Sequence, residues 1–225
     1  MSSVLLIGAN GQLGSDLRTR SGVISVTRAE LDITDHRRVA EMLRETRPDV
    51  IVNTAAFINV ETSEVEVEAA FAVNAVAIRN LAIQADAIGA CLVHISTDYV
   101  FDGAGSVPYS EDAATGPLNV YGNSKLAGEF FVRALCRRHL IVRSSGLYGL
   151  AGSSGKGGNF VRTMLRLGKE KGEVSVVTDQ VLTPTNTKDL AEMTWRLVDG
   201  GAHNRRACLS NDCWPAVWPV PSLWC

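Results

Sequence analysis

The sequence predicts an α/β fold: a Rossmann-type doubly wound parallel sheet followed by a small C-terminal annex. Three observations carry this expectation. Short apolar runs alternate with helical patterns over residues 1–150, as parallel strands covered by helices on both faces require. A glycine-spaced turn, "GANGQLG", stands between the first run and the first helical pattern. Beyond residue 150 the alternation weakens to one helix, one strand and another helix.

The elements follow in order. Residues 3–8, "SVLLIG", form a short apolar strand, and "ANGQLGSDLRTR" a turn and helix. "GVISVTR" is a second strand. "DITDHRRVAEMLRETRP" offers Thr34 or Asp35 as a helix cap and stops at Pro48, whose ring cannot continue a helix. "DVIVNTAAF" is the third strand. A helical pattern over 65–89 places Phe71, Ile78, Leu81 and Ala82 on one side, with Gly89 at its end. "CLVHIS" is the fourth strand and leads into a loop over 97–117. "VYGNSKLAGEFFVRALC" is a helix and "HLIVRSSGLYG" the fifth strand. Past the loop "AGSSGKGG", "NFVRTMLRLGKE" reads as a helix and "EVSVVTD" as a strand. "NTKDLAEMTWRLVDG" reads as a helix capped by Asn186 or Thr187.

Composition limits the function classes. Of 225 residues, 46% are hydrophobic and 20% charged, an ordinary globular balance, and the net charge of −2 argues against a nucleic-acid or membrane-surface binder. No run approaches the roughly 18 apolar residues that a membrane span requires. The opening "MSSVLLIGANG" lacks a signal peptide's basic start and longer apolar core, so a cytoplasmic location is expected. Of the five cysteines, Cys91 and Cys136 fall in apolar elements and are expected as buried thiols. Cys208, Cys213 and Cys225 with His203 have no zinc-site spacing, and no metal site is expected.

The glycine turn is a phosphate cradle by position. Gly8 permits the tight turn, Gly11 lets backbone approach a ligand, and Gly14 lets the helix pack close to the sheet. Amides of Asn10, Gln12 and Leu13 then face a pyrophosphate at the helix start. The second strand ends near Arg28, where an arginine suits the extra phosphate of NADP; Glu30 or Asp32 could still reach adenine or ribose, and Ile33 is expected beside them as a cofactor contact. Arg28 as a merely solvated loop residue is the competing reading. After the third strand, Asn53, Ala55 and Ala56 leave room for a flat nucleotide, although the alanines also suit plain packing.

The fourth strand delivers Ser96 and Thr97 to its C-terminal end, where open parallel sheets bind their ligands. Tyr121 and Lys125 stand four apart and share a helical face. A hydroxyl, a phenol and an ammonium beside a nicotinamide form a carbonyl-reducing set. Thr97 would orient the oxygen and Tyr121 supply a proton. Lys125 would favour ionisation of the phenol and hold the ribose. His94, inside an apolar strand, is expected as a satisfied core histidine. Asp98, Asp102, Glu111 and Asp112 are expected to face water rather than a metal.

These stretches, with "RAELDITD", "AFAVNA", "ISTDYVFDG", "PLNVYGNSKLAGE" and "DQVLTPTNTKDLA", resemble the extended short-chain dehydrogenase/reductases. Within that group the chain is similar to the dTDP-4-dehydrorhamnose reductase family over roughly residues 3–200. The resemblance implies reduction of the C4 ketone of dTDP-4-dehydro-L-rhamnose by NADPH, with NADH also accepted by some members. It implies Thr97, Tyr121 and Lys125 as the catalytic set, and adds Asn74 to the cofactor contacts. Ser96, Val100, Phe101, Asn159 and Phe160 become substrate contacts. The resemblance also allows Mg2+ and a homodimer. Asp98 is followed by Tyr99, so the second acid of related dehydratases is absent. A non-catalytic relative, the regulatory beta subunit of methionine adenosyltransferase, is the alternative from another functional class.

The resemblance divides the chain into an NADP-binding domain (1–150) and a partial substrate lobe (151–203). The family pattern is lost after "LVDGGAHN". Residues 204–225 hold three of the four tryptophans and three of the seven prolines, and are expected to be an irregular tail foreign to the fold. "SSGLYG" stands where the family has "TSWVYG", so Gly146 replaces a tryptophan near the substrate lobe.

Overall fold

A computed structural model describes residues 2–105, 107–152, 158–176 and 182–201, and the backbone alone of 205–208. Six strands form one parallel sheet. They are β1 (Val4–Ile7), β2 (Val23–Val26), β3 (Val50–Asn53), β4 (Cys91–Thr97), β5 (His139–Ser144) and, near the end, β8 (Arg205–Cys208). Their order is β2-β1-β3-β4-β5-β8. The chain leaves β1 first to one side and then to the other, so the switch point, where such sheets bind ligands, lies between β1 and β3.

Strand alternation divides the core into two layers. Leu5 and Ile7 of β1 point to one face. There they meet Val39 and Leu43 of α2 (His36–Thr46), Ile78 and Leu81 of α5 (Ala77–Ala87), and Val132 of α6 (Val120–Leu135). Val4 and Leu6 point to the other face, to Leu13 and Leu17 of α1 (Gln12–Leu17) and Leu190 and Ala191 of α8 (Thr187–Asp199). Between β3 and α5 lie α3 (Val60–Val65), α4 (Val67–Phe71) and one wide π-helical turn, Ala72–Val76. Asp35, not Thr34, caps α2 by accepting from the Arg38 amide at 3.0 Å.

The C-terminal part departs from its expected partition. β6 (Leu147–Tyr148) and β7 (Thr185–Asn186) pair in a separate two-stranded parallel ribbon, and α7 (Phe160–Lys171) has no buried residue. Yet α8, expected in the second lobe, packs on α1 as part of the first domain's core. Its apolar stripe of Leu190, Ala191 and Trp195 completes the layer over α1. Arg20 beyond α1 then reaches α8, pairing with Asp199 at 2.9 Å and lying 4.8 Å over the Trp195 ring. The 204–225 segment is corrected at its start. The backbone of Arg205–Cys208 runs parallel to β5 as the sixth strand, because β5 otherwise presents an open ladder of backbone donors and acceptors. The expectations for 209–225, and for the thiols of Cys208, Cys213 and Cys225, fall outside the described side chains. Glu173 to Val176, expected to open a strand, take no regular form, and the remainder of that strand also lies outside the described residues. Cys91 and Cys136 are buried, as expected. Among the described residues no helix is long and apolar enough to cross a membrane.

If α8 belongs to the first domain's core, Leu190→Ala destabilises the whole sheet. Urea unfolding should remain one transition, weakened by about 2–5 kcal/mol. A separate early transition with the main one unmoved would place α8 outside that core.

Candidate active site

The cradle is built from contacts that only glycine allows. Gly8 has φ of 87°, and a Cβ there would stand 2.6 Å from Thr54 Oγ1 and 2.9 Å from the Ala55 amide. A Cβ on Gly14 would fall 2.2 Å from the Gly8 carbonyl oxygen, so the third glycine lets α1 approach the end of β1. Gly8 and Ala9 amides donate to the Val26 carbonyl at 3.0 Å each, fixing the turn against β2. Gly11 precedes α1 without a capping side chain. Helix geometry leaves the amides of Gln12, Leu13 and Gly14 without intrahelical acceptors, and these are the donors that an anion would use. Asn10 is exposed beside them. The side chains of Leu13 and Ile33 are in the core, so these two can offer only backbone. Arg28 is exposed and only loosely paired with Asp32, at 3.4 Å. Asp32 is held by the Thr34 amide and hydroxyl at 2.9 and 2.7 Å, which keep its carboxyl below the usual range.

At the far side of the switch point stand the three groups expected to carry the chemistry. Thr97 ends β4, nearly buried, with its hydroxyl donating to Asp98 Oδ1 at 3.0 Å. Ser145 Oγ donates to the other Asp98 oxygen at 2.6 Å. Tyr121 and Lys125 lie on α6. That helix is capped by Asn119, whose Oδ1 accepts from the Gly122 amide at 2.7 Å. Burial pushes the Tyr121 phenol up to about 12, with Asp98 and Tyr99 adding to the rise and the Thr97 hydroxyl opposing it. Burial brings Lys125 down to about 8, against the pull of Glu129. The expected help from Lys125 to the phenol is not what this geometry shows. Lys125 Nζ donates to the Ile95 carbonyl at 2.7 Å and lies 3.5 Å from His94 Nε2, and the phenol's surroundings are Thr97, Asp98 and Tyr99.

Several residues expected to touch ligand are engaged elsewhere. Ser96 Oγ donates to Glu129 Oε1 at 2.6 Å inside the protein. Val100 and Phe101 are buried, because the 3-10 turn Asp98–Val100 directs them under the loop against Leu126. The turn instead exposes Tyr99, which meets Tyr121 edge to face at 5.5 Å. Asn53 and Asn74 are buried and hold backbone. Asn74 brackets Phe57, accepting its amide and donating to its carbonyl at 2.9 Å each, and also donates to Ser124 Oγ. Ala55 and Ala56 remain partly accessible beside the cradle. Asn159 caps α7, accepting from the Arg162 amide at 2.9 Å and donating to the Gly149 carbonyl at 3.0 Å. Phe160 beside it is 68% exposed and free to meet a ligand. Gly146 has φ of 52°, and a Cβ there would meet Leu182 at 2.5 Å, so Leu182 occupies space near any larger side chain.

The reading of the sequence missed Tyr99, Glu129 and Arg143. Arg143 Nε and Nη2 donate to both Glu129 oxygens, at 2.9 and 2.6 Å, with both side chains 1% exposed. Arg143 also donates to the Glu111 carbonyl at 3.3 Å and lies 5.0 Å over the Phe101 ring. Two signals were present: Glu129 stands one helical turn beyond Lys125, and Arg143 interrupts an otherwise apolar strand. Among the described residues no group of three or more His, Cys, Asp or Glu side chains could hold a metal ion.

Removing one partner of this buried pair strands the other charge. Arg143→Met and Glu129→Leu should each cost about 3–5 kcal/mol in urea unfolding, while the two changes combined in one variant should cost less than the two single losses together. Additive losses would show that the two side chains act independently.

Residues 1–211 match the family described as RmlD substrate binding domain. The spore coat polysaccharide biosynthesis protein SpsK of Bacillus subtilis is 42% identical over 202 residues, covering 88% of this chain and 70% of that protein. The dTDP-4-dehydrorhamnose reductase of Salmonella typhimurium is 44% identical over 200 residues, covering 85% and 65% respectively. The crystal structure of dTDP-4-dehydrorhamnose reductase from Bacillus anthracis in complex with NADP superposes with a TM-score of 0.88 at 40% identity, covering 93% of this chain and 74% of that one. The chain thus spans about two thirds of the length of the curated relatives it matches. The glycine cradle, the Thr97, Tyr121 and Lys125 set and a match over most of the chain agree: it belongs to the RmlD substrate-binding-domain family, the family of the dTDP-4-dehydrorhamnose reductases.

Proposed function

We propose that the chain reduces the C4 ketone of dTDP-4-dehydro-L-rhamnose to dTDP-L-rhamnose, with NADPH as reductant. The observation that carries this is the convergence of Thr97, Tyr121 and Lys125 at the sheet edge that also bears the glycine cradle. A dinucleotide fits the cradle, since Cβ atoms on Gly8 or Gly14 would collide with backbone and the α1 amides face outward. Gln12, Leu13 and Gly14 would hold the pyrophosphate through backbone, and Arg28, released from its weak pair, the extra phosphate. NADPH, when bound, supplies a hydride to the ketone carbon.

The protein's own groups manage the proton and the charge. A phenol raised to about 12 stays protonated at neutral pH, as the acid of a reduction must. Thr97 orients the substrate oxygen and Tyr121 gives its proton as charge builds there. Lys125 keeps a positive charge beside the site below about pH 8 and loses it above. Tyr99 and Phe160 offer exposed aromatic surface to the sugar nucleotide. A cytoplasmic location, expected from the sequence, and a homodimer and NADH as an alternative reductant, both carried over from the family, complete the reading. Magnesium, which the family allows, has no cluster of three acidic or imidazole ligands among the described residues.

Loss of NADPH absorbance with the dTDP-keto-sugar tests the proposal. Wild type should turn over, and Tyr121→Phe should lose about 10²–10⁴-fold in kcat with NADPH affinity unchanged. Arg28→Ala should weaken NADPH about tenfold and leave NADH unaffected, a difference of about 1.4 kcal/mol. Tight NADPH binding by wild type without turnover would favour the regulatory-subunit reading.

A further inference from the structure

His94 is fully buried in β4 and has no part in the chemistry proposed above. Its neighbours fix its hydrogen. The Ala55 amide donates to Asn53 Oδ1 at 3.2 Å, which sets the orientation of the Asn53 side-chain amide. Asn53 Nδ2 then donates to the Ala55 carbonyl at 3.4 Å and faces His94 Nδ1 at 3.3 Å. An amide nitrogen has only hydrogens to give, so Nδ1 is the acceptor, and a neutral imidazole carries its hydrogen on Nε2. Burial, reinforced by Lys125, holds His94 well below the ordinary histidine range, so the neutral ring is the form present.

That Nε2–H is directed at Lys125 Nζ across 3.5 Å. An ammonium has no lone pair, and against it the imidazole stands donor to donor. A neutral amine has a lone pair and accepts. The other groups around Nζ pull the opposite way. The Ile95 carbonyl of β4 accepts from it at 2.7 Å. Glu129, one turn along α6, favours the charge, but Arg143 of β5 holds both of its oxygens. Tyr121, one turn earlier on α6, stays neutral, and Asn74 of the π-helical turn carries no charge.

We infer that Asn53 and His94 are positioning residues that set the protonation of Lys125: Asn53 fixes the Nε2–H tautomer, and that N–H disfavours the ammonium and favours the amine. The role of Lys125 beside a cofactor rests on the function proposed above; its titration does not. The pair holds a buried lysine close to the point of changing charge near neutral pH, where a small change at the site can tip it. Burial alone acts in the same direction, so the two contributions must be separated by altering the imidazole while keeping the site buried.

The chain has five lysines and four histidines, few enough to resolve by NMR. In protein labelled with [ε-13C]lysine, the signal lost in Lys125→Met is that of Lys125. Its midpoint in wild type should lie near 8. In His94→Gln the side-chain carbonyl can turn to accept from the ammonium, and the midpoint should rise by about one unit, tenfold in the protonation constant. A midpoint unmoved in His94→Gln overturns the inference. A wild-type measurement needs no variant to fold: the 15N shifts of His94 should report the Nε2–H tautomer across the lysine titration. The Nδ1–H tautomer or an imidazolium there overturns the inference as well. Both titrations are run without NADPH. A separate fluorescence titration showing no NADPH binding would count against the proposed function and leave the lysine result standing.

Discussion

The buried ion pair between Glu129 and Arg143 is the contact on which the site's geometry depends. It joins α6 to β5 through two charge-assisted hydrogen bonds, and Ser96 ties the same carboxylate to β4. The free nitrogen of Arg143 fastens the loop after β4 at Glu111, and its guanidinium covers Phe101, which stacks on Tyr109 at 4.4 Å. Three elements and a loop thus meet at one pair of side chains. Tyr121 and Lys125 lie two turns and one turn before Glu129 on α6, so a shift of that helix moves both. A buried pair adds little net stability compared with an apolar replacement, but it permits only one arrangement of its partners.

Close backbone approach supplies the rest of the positioning. Gly122 lets α6 meet the Tyr99 carbonyl, where a Cβ would stand at 2.2 Å, and Gly128 does the same at the Asn74 carbonyl, at 2.3 Å. Asn74 in turn holds Phe57 and the segment after β3. Gly8 and Gly14 bring α1 to the end of β1 on the other side of the switch point. The cradle and the reactive groups are therefore set by the same device, main chain against main chain. Such contacts vary less than contacts through long side chains, and a dinucleotide that spans both halves needs that constancy.

Much of this was legible in the sequence. The strand–helix alternation, the glycine turn and the Tyr121–Lys125 spacing are local patterns, and each stands where the pattern puts it. The errors share one cause, side chains committed to partners distant in sequence. Ser96, Val100 and Phe101 flank Thr97 closely in sequence, but the 3-10 turn and Glu129 draw them inward. Asn53 ends β3 and Asn74 lies in the π-helical turn, yet they hold the backbone of Ala55 and Phe57. Arg143 and Glu129 belong to different elements and show their meaning only when α6 packs on the sheet. The placement of α8 and of Arg205–Cys208 was missed for the same reason: a stripe of apolar residues does not say which layer it completes.

Two opposed shifts give the site its chemical character. Burial keeps the proton on Tyr121 and weakens the hold of Lys125 on its own, so the phenol stays protonated while the neighbouring amine titrates at about 8. The central claim is spatial: α6 brings these two groups to the nicotinamide end of a dinucleotide whose phosphates rest on α1. A crystal structure of the chain soaked with NADPH measures this directly. The account predicts pyrophosphate oxygens on the backbone amides of Gln12 to Gly14 and the nicotinamide ribose within hydrogen-bonding reach of Tyr121 and Lys125. A cofactor bound with its nicotinamide away from both side chains would contradict it.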